Sequence, residues 1–131
     1  MKKPITIAVD AMGGDNAPQK IIDGIELHNN KSKNTFYKIF GDKNIIDPII
    51  NNKSIDKNSI EIIHTQEKIK GEDSAFTAAK RGKKTSMWLA IESVKNKLSD
   101  IVISAGNTGA LLVIAKLNLK MIENIDKPAL S

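Results

Sequence analysis

The chain has 131 residues, the length of one small domain; 40% of them are hydrophobic and 27% are charged, so it can bury a core and is not a disordered segment. It contains no cysteine, which excludes disulfide scaffolds, thiolate metal sites and cysteine nucleophiles. The net charge of +5 does not indicate nucleic-acid binding, because apart from Arg81 the basic residues are scattered lysines and only 4% of the chain is aromatic.

Neither a membrane span nor a signal peptide is predicted. The longest uninterrupted apolar stretch is the six residues Ala110–Ala115, far short of the roughly 20 that cross a bilayer. Lys2 and Lys3 are followed by a short strand-like run rather than by the long apolar core of a signal peptide. We therefore expect a cytoplasmic protein.

Strand-like and helix-like segments alternate along the chain. The predicted strands are Ile5–Val9, Thr35–Phe40, Ile60–Ile63 and Ile101–Ser104. The first predicted helix is opened by Pro18 and ended by Asn29-Asn30, and the second, with the stripe Ile45–Ile50, is short or kinked because it contains Pro48. A short helix is predicted at Ser74–Lys80. An amphipathic helix carries Met87, Ile91, Val94 and Leu98, and an apolar helix runs from Thr108 to Met121. His28 is expected at the surface, near the end of its helix.

This alternation predicts an α/β fold in which helical crossovers join parallel strands. The strand Ile101–Ser104 lacks polar alternation, which is expected when helices cover both faces of a sheet. The helix Thr108–Met121 is apolar nearly all round and needs burial on more than one side, which four strands provide only in part. We therefore expect a larger domain or a partner subunit to complete its burial.

A glycine-rich turn, Ser104-Ala-Gly-Asn-Thr-Gly, follows the fourth strand. Gly106 and Gly109 permit close backbone approach, and Asn107 or Thr108 can cap the next helix. The free first-turn amides of that helix would form an anion site at the carboxyl end of a parallel strand. The alternative is an ordinary strand-to-helix turn that needs glycines only for packing.

A second polar loop follows the first strand. Asp10, Asp15 and Asn16 flank Gly13 and Gly14, and the glycines would let a ligand approach the backbone. The alternative is that Asp15 or Asn16 merely caps the helix that follows. No metal is expected, because nothing supplies a third ligand at a recognisable spacing.

Two further segments are candidates for the same sheet edge. His64 follows the third strand, where it is either a functional group or a capping or solvated residue. Lys83-Lys84-Thr85-Ser86 opens the fourth helix and would bring cations to the edge, or is a solvated loop with a helix cap. The chain has neither a dinucleotide fingerprint nor a Walker loop, so no nicotinamide cofactor is expected.

The motifs in these loops resemble a known family. The matching stretches are IAVDAMGGDNAP (7–18), GDK (41–43), TSMWLAIESVK (85–95), ISAGNTGALL (103–112) and IDKPAL (125–130). They span the chain and resemble the bacterial acyl-carrier-protein:phosphate acyltransferase family of phospholipid synthesis (PlsX). Family members are considerably longer, so residues 1–131 would be the N-terminal portion of a single acyltransferase domain.

The resemblance implies a function and a fold. The family transfers a fatty acyl group from acyl-carrier protein to inorganic phosphate, and the acyl phosphate feeds a membrane glycerol-3-phosphate acyltransferase on the way to phosphatidic acid. It implies a Rossmann-like α/β/α layered domain with a mostly parallel sheet, similar to isocitrate and isopropylmalate dehydrogenases and incomplete in this chain. It also implies a homodimer in the full-length form and peripheral association of a cytoplasmic protein with the membrane. No cofactor is expected. The alternative is a truncated, non-catalytic remnant that only binds acyl-carrier protein or a partner chain.

The site residues expected from these loops fall into two sets. The candidate catalytic residues, which would orient the donor, stabilise the oxyanion or protonate the leaving thiolate, are Asp10, Asp15, His64 and Asn107. The candidate substrate- or phosphate-binding residues are Gly13, Gly14, Asn16, Arg81, Lys84, Ser86, Ser104, Gly106, Thr108 and Gly109.

Overall fold

The computed structural model describes residues 4–68, 74, 83–106 and 114. Within them the strands are β1 (Ile5–Asp10), β2 (Thr35–Gly41), β3 (Ile60–His64) and β4 (Ile101–Ser104). The α-helices are α1 (Gln19–Lys31), α2 (Lys43–Asn51) and α3 (Ser86–Lys95), and a 3-10 turn (Lys57–Ser59) precedes β3. In this part of the chain no helix is both long enough and apolar enough to cross a membrane.

Two predicted helices lie largely outside the described residues. The helix predicted over Ser74–Lys80 is one of them, and the apolar helix Thr108–Met121 is the other. Ile114, which belongs to the second, is helical and completely buried.

The four strands form one parallel sheet in the order β3-β2-β1-β4. β1 is therefore an inner strand, paired with β2 on one side and with β4 on the other. The prediction of parallel strands joined by helical crossovers is confirmed for these elements.

Helices cover both faces of the sheet, which gives the predicted α/β/α layering. Ile7 and Val9 of β1 pack with α1 and α2 on one face, in a cluster with Ile22, Ile25, Ile39, Ile46 and Ile50. Ala8, which points the other way, packs with Phe40 and with Ala90 of α3. The side chains of β1, which point alternately to the two faces, thus belong to two separate apolar layers.

The direction of the crossovers reverses beside β1. From β1 the chain moves outward through α1 and α2 to β3, and it then returns across the opposite face through α3 to β4. A right-handed crossover that changes direction must change face, which is why α3 lies opposite α1 and α2. The carboxyl ends of β1 and β4 therefore flank a topological switch point, the place where open α/β sheets bind ligands.

The burial of β4 differs from the prediction. Ile101 and Ile103 are 48% and 49% exposed, whereas Val102 packs against the layer formed with α3. Ile101 pairs with Ile7 and so faces the side of α1 and α2, but these helices follow β1 and β2 and lie over the other half of the sheet. The expectation that helices cover both faces of this strand is thus wrong within the described residues.

Two helix ends also differ from the prediction. α1 continues past Asn29, because this side chain is 1% exposed and its Oδ1 accepts a hydrogen bond from the amide of Asp56 (3.2 Å). α3 ends at Lys95 rather than at Leu98, which is 59% exposed. Lys97 adopts a left-handed φ of 62° and the amide of Leu98 bonds back to Ser93 (2.9 Å), the motif that usually carries glycine.

Candidate active site at the ends of β1 and β4

The buried carboxylate of Asp10 is the centre of the polar contacts at the switch point. Asp10 is the last residue of β1 and is 1% exposed. Its Oδ1 accepts hydrogen bonds from the Ser86 hydroxyl (2.6 Å) and the Met12 amide (3.2 Å), and its Oδ2 accepts one from the Ser104 hydroxyl (2.8 Å). One side chain therefore joins β1 and its loop to the start of α3 and to the end of β4.

The hydrogen bonds continue from Asp10 into the turn after β4. The Ser104 hydroxyl, which donates to Asp10, accepts a hydrogen bond from the amide of Gly106 (3.1 Å). The hypothesis that the Gly106 amide holds an anion does not fit this structure, because that N–H is already paired within the turn. The part of the same hypothesis that concerns Asn107, Thr108 and Gly109 lies outside the described residues and stays a prediction.

Gly13 lets the loops after β1 and β4 touch through their backbones. A Cβ at Gly13 would lie 2.7 Å from Asp10 Oδ2 and 2.9 Å from the Cα and nitrogen of Gly106. In return, a Cβ at Gly106 would lie 3.2 Å from the Cα of Gly13. Gly13 is buried, so the space that we predicted for a ligand at this glycine is occupied by protein.

The next three residues of the first loop face outward. Gly14 has a φ of +95°, in the region that favours glycine, and a Cβ there would lie 3.1 Å from the carbonyl oxygen of Ala105. Asp15 and Asn16 are exposed. Pro18 occupies the N-cap position of α1 without a side-chain cap hydrogen bond, so neither Asp15 nor Asn16 is the N-cap residue that we considered as the alternative.

The start of α3 is held at the same place. Thr85 caps α3 by accepting from the amide of Trp88 (3.3 Å), as the alternative interpretation of this segment expects. Thr65, just after β3, donates its hydroxyl hydrogen bond to the carbonyl of Lys84 (2.6 Å), while Lys84 itself is exposed. Sequence reasoning missed Thr65, and its only signal was a hydroxyl residue directly after a strand.

His64 lies at the same edge of the sheet but not in the Asp10 cluster. Its Nδ1 accepts a hydrogen bond from the amide of Lys43 (3.0 Å) and lies 3.9 Å from Asp42 Oδ1, so it helps to cap α2. β2 separates β3 from β1. The capping interpretation of His64 describes this geometry, and the catalytic one stays a prediction without a contact to support it.

The structure thus brings together six of the predicted site residues and leaves others beside or outside the cluster. Those in direct or backbone contact at the switch point are Asp10, Gly13, Gly14, Ser86, Ser104 and Gly106. Arg81, like Asn107, lies outside the described residues. Among the residues that are described, no group of three His, Asp or Glu side chains is placed to hold a metal ion.

The arrangement is a buried polar centre with charged groups beside it. Asp10 has its donors inside the protein, whereas Asp15 and Asn16 on one loop and Lys83 and Lys84 before α3 are exposed. An edge of this kind can orient an anionic ligand at a switch point without a side chain that acts as a nucleophile.

Comparison with known proteins agrees with the motifs in these loops. The family model described as "Fatty acid synthesis protein" matches residues 5–131. Curated relatives named "Phosphate acyltransferase" come from Pelagibacter ubique (70% identical over 131 residues), Parvibaculum lavamentivorans (40% over 132) and Paramagnetospirillum magneticum (36% over 131). Each match covers 100% of this chain. It covers 39% of the Pelagibacter ubique relative and 37% of each of the other two, so the chain spans about two fifths of their length. The chain belongs to this fatty acid synthesis protein family, the PlsX family, whose curated relatives are phosphate acyltransferases.

Proposed function

We propose that this chain supplies part of the active site of a phosphate acyltransferase that moves a fatty acyl group from acyl-carrier protein to inorganic phosphate. The product, an acyl phosphate, would serve phosphatidic acid synthesis through a membrane glycerol-3-phosphate acyltransferase. Membership of the family and the names of its relatives support the acyltransferase part of this proposal. The donor, the pathway and the activity of this chain by itself are what the experiments below test.

One observation carries the assignment of the site: the loops after β1 and β4 pack against each other at the switch point. The virtual Cβ of Gly13 lies 2.9 Å from the backbone of Gly106, so the two motifs form one surface. A ligand held by the residues after Gly106 would therefore also be close to the exposed Asp15 and Asn16. Two motifs far apart in sequence would act on the same substrate.

The reaction needs positioning more than acid–base chemistry. An oxygen of phosphate, partly a dianion near neutral pH, attacks the thioester carbonyl carbon; a C–O bond forms, the C–S bond breaks, and the thiolate takes the electron pair. A thiolate is a good leaving group, so no protein nucleophile is required. The protein must bring two anionic reactants together, exclude water and supply positive charge or N–H donors for the oxyanion.

The candidate site residues would divide this work between them. Lys84 is exposed just before α3 and its carbonyl is held by Thr65; its ammonium would supply a counter-charge for phosphate. Asp15 and Asn16 would orient the pantetheine end of the donor. Asn107, Thr108 and Gly109, which directly follow the fixed turn in sequence, would bind phosphate or the oxyanion, with Arg81 as a second source of charge.

The protein's neighbours belong to the same proposal. Ile101 and Ile103 leave about half of their surface exposed on β4, an apolar area that needs a cover. In a protein of the relatives' length, further chain or the second subunit of a homodimer would supply it. We propose a cytoplasmic enzyme that associates peripherally with the membrane, where its acyl phosphate is used.

The test measures acyl phosphate formed from acyl-carrier protein and phosphate. It uses the 131-residue chain and a chimera in which this chain replaces the matching stretch of the Pelagibacter ubique relative, which is 70% identical. Asn107→Ala is expected to lower turnover about 100-fold, the usual cost of losing one oxyanion contact. Asn58→Ala, which changes an exposed asparagine in the 3-10 turn, is the matched control and should leave turnover unchanged.

The outcomes separate the proposal from its alternative. No acyl phosphate from either preparation would reject the function. If the chain by itself binds acyl-carrier protein without turnover while the chimera is active, the chain alone is the binding module considered as the alternative. Equal turnover in the two asparagine variants would remove Asn107 from the site.

A further inference from the structure

We infer that Asp10 is a positioning residue: through Ser86 and Ser104, its buried carboxylate fixes the loops that would meet the substrate, and it does not touch the substrate itself. The expected effect of this role on catalysis rests on the proposed function, whereas the hydrogen bonds that define the role do not. The inference gives Asp10 a different role from the direct catalytic one that its sequence motif indicates.

The first argument is access. Asp10 is 1% exposed, and its two oxygens already accept from Met12, Ser86 and Ser104. A carboxylate has about four lone-pair positions, and three of them are used here. Gly13 lies over the same oxygen that accepts from Ser104, at a virtual Cβ distance of 2.7 Å. A substrate would have to displace the first loop to reach this group.

The second argument is what the three donors belong to. Met12 lies in the loop after β1, Ser86 is the first residue of α3, and Ser104 is the last residue of β4. These elements come from opposite faces and different parts of the chain, and the carboxylate is a shared acceptor for all of them. A small change at this side chain would therefore alter three elements at once.

The third argument concerns the end of the relay, by which we mean the hydrogen bonds that run from Asp10 through Ser104 to Gly106. The Ser104 hydroxyl, fixed by Asp10, accepts from the Gly106 amide, and the chain continues from Gly106 directly into Asn107. The orientation of this peptide sets the starting direction of the segment that would bind phosphate. A displacement of about 1 Å in a catalytic group can cost on the order of 100-fold in rate, so the relay matters without touching the substrate.

The experiment compares variants of the relay with a matched control. Ser104→Ala removes the hydroxyl that links Asp10 to Gly106, and Asp10→Asn keeps the shape but changes the pattern of acceptors. Ser93→Ala is the control, because Ser93 and Ser99 form a buried hydroxyl pair (2.6 Å) at the other end of α3, where neither contacts the loops. All are measured in whichever of the two preparations makes acyl phosphate.

For Ser104→Ala we expect kcat to fall about 10- to 100-fold while KM for the acyl donor changes little. Asp10→Asn should also lower kcat and should keep the shape of the pH dependence, because the group transfers no proton. Ser93→Ala should keep kcat despite a similar loss of thermal stability. A Ser104→Ala turnover equal to that of Ser93→Ala, or the loss of one limb of the pH profile in Asp10→Asn, would overturn the inference.

A second measurement stays informative if the proposed function fails. Amide hydrogen exchange is followed at Met12 and Gly106 in the 131-residue chain itself, where Ser104→Ala should speed exchange at both sites and Ser93→Ala at neither. If neither the chain nor the chimera makes acyl phosphate without substitutions, the proposed function is rejected and the role of Asp10 is not. Equal exchange at these two amides in the serine variants would reject the role of Asp10, whatever the activity.

Discussion

The carboxyl ends of β1 and β3 lie on one edge of the same sheet and carry polar residues of opposite character. Asp10 at the end of β1 is 1% exposed and accepts hydrogen bonds from three different elements. The side chain of His64 at the end of β3 is 45% exposed and accepts from a single amide, that of Lys43. In the sequence both simply end a short apolar run.

The difference follows from the position of each strand in the sheet. β1 has a neighbour on both sides and the crossovers diverge around it, so loops from both directions converge on its end. β3 is an edge strand of the described sheet, and His64 at its end contacts the start of α2 through one hydrogen bond. A polar residue at a switch point is shared by several elements, whereas the same kind of residue at an edge contacts the start of one helix.

Gly13→Ala is the substitution that breaks the β1 end most directly. The new methyl group would lie 2.7 Å from Asp10 Oδ2, which is buried and held by hydrogen bonds, and 2.9 Å from the Gly106 backbone. We expect the free energy of unfolding to fall by about 1–3 kcal/mol, the usual cost of overpacking, and this is measured by urea denaturation.

Gly24→Ala is the matched control for that substitution. Gly24 lies on the exposed side of α1, and a Cβ there would meet nothing within 4 Å. Alanine should stabilise the protein by about 0.5–1 kcal/mol, because glycine is a poor helix residue. If both variants were equally stable, the close packing of the two loops would not exist in solution.

Much of the fold could be predicted because it depends on local patterns. The apolar runs that end in Asp10 and Ser104 mark the strands, and the spacing of Ile22 and Ile25 marks the buried face of α1. Of the two misplaced helix ends, the first has a non-local cause and the second a local one. α1 continues past Asn29 because a distant amide bonds to that side chain, and α3 stops where Lys97 adopts a conformation that glycine usually signals.

The site could be predicted as a place but not as a set of roles. The motifs indicate that the residues around Asp10 and Ser104 meet, because parallel strands end at one edge. They do not indicate that Gly13 touches Gly106, because this depends on two loops more than 90 residues apart. They also do not indicate that the Gly106 amide is paired, because this depends on the orientation of the Ser104 hydroxyl. A polar residue that caps a helix and one that binds a ligand look the same in sequence, and only their burial and contacts in the structure distinguish the two roles.

His64→Ala tests the end of β3. The amide of Lys43 loses its acceptor, but water replaces it at this exposed position, and Asp42 still caps α2 through the amide of Asn44 (3.0 Å). We expect a loss of about 0.5–1 kcal/mol in the free energy of unfolding, smaller than for Gly13→Ala. A loss as large as that of Gly13→Ala would show that the β3 end is as tightly coupled as the β1 end.

The smallest expected effect on stability is at Tyr37, whose polar contact lies away from this edge of the sheet. It is 2% exposed in β2, with its hydroxyl at hydrogen-bond distance from Nδ1 of His28. Burial raises the pKa of the Tyr37 phenol above its ordinary value of 10.0, because the charged phenolate is poorly solvated there. The folded state therefore favours the neutral phenol, and this contribution is complete below pH 10 and is lost as pH rises through the higher pKa of the folded state. The free energy of unfolding should fall more steeply above pH 10 in the unmodified protein than in Tyr37→Phe, because the two proteins differ only in this phenol. Parallel curves would mean that the phenol is solvated, and the core beneath α1 would then be looser than the β1 end.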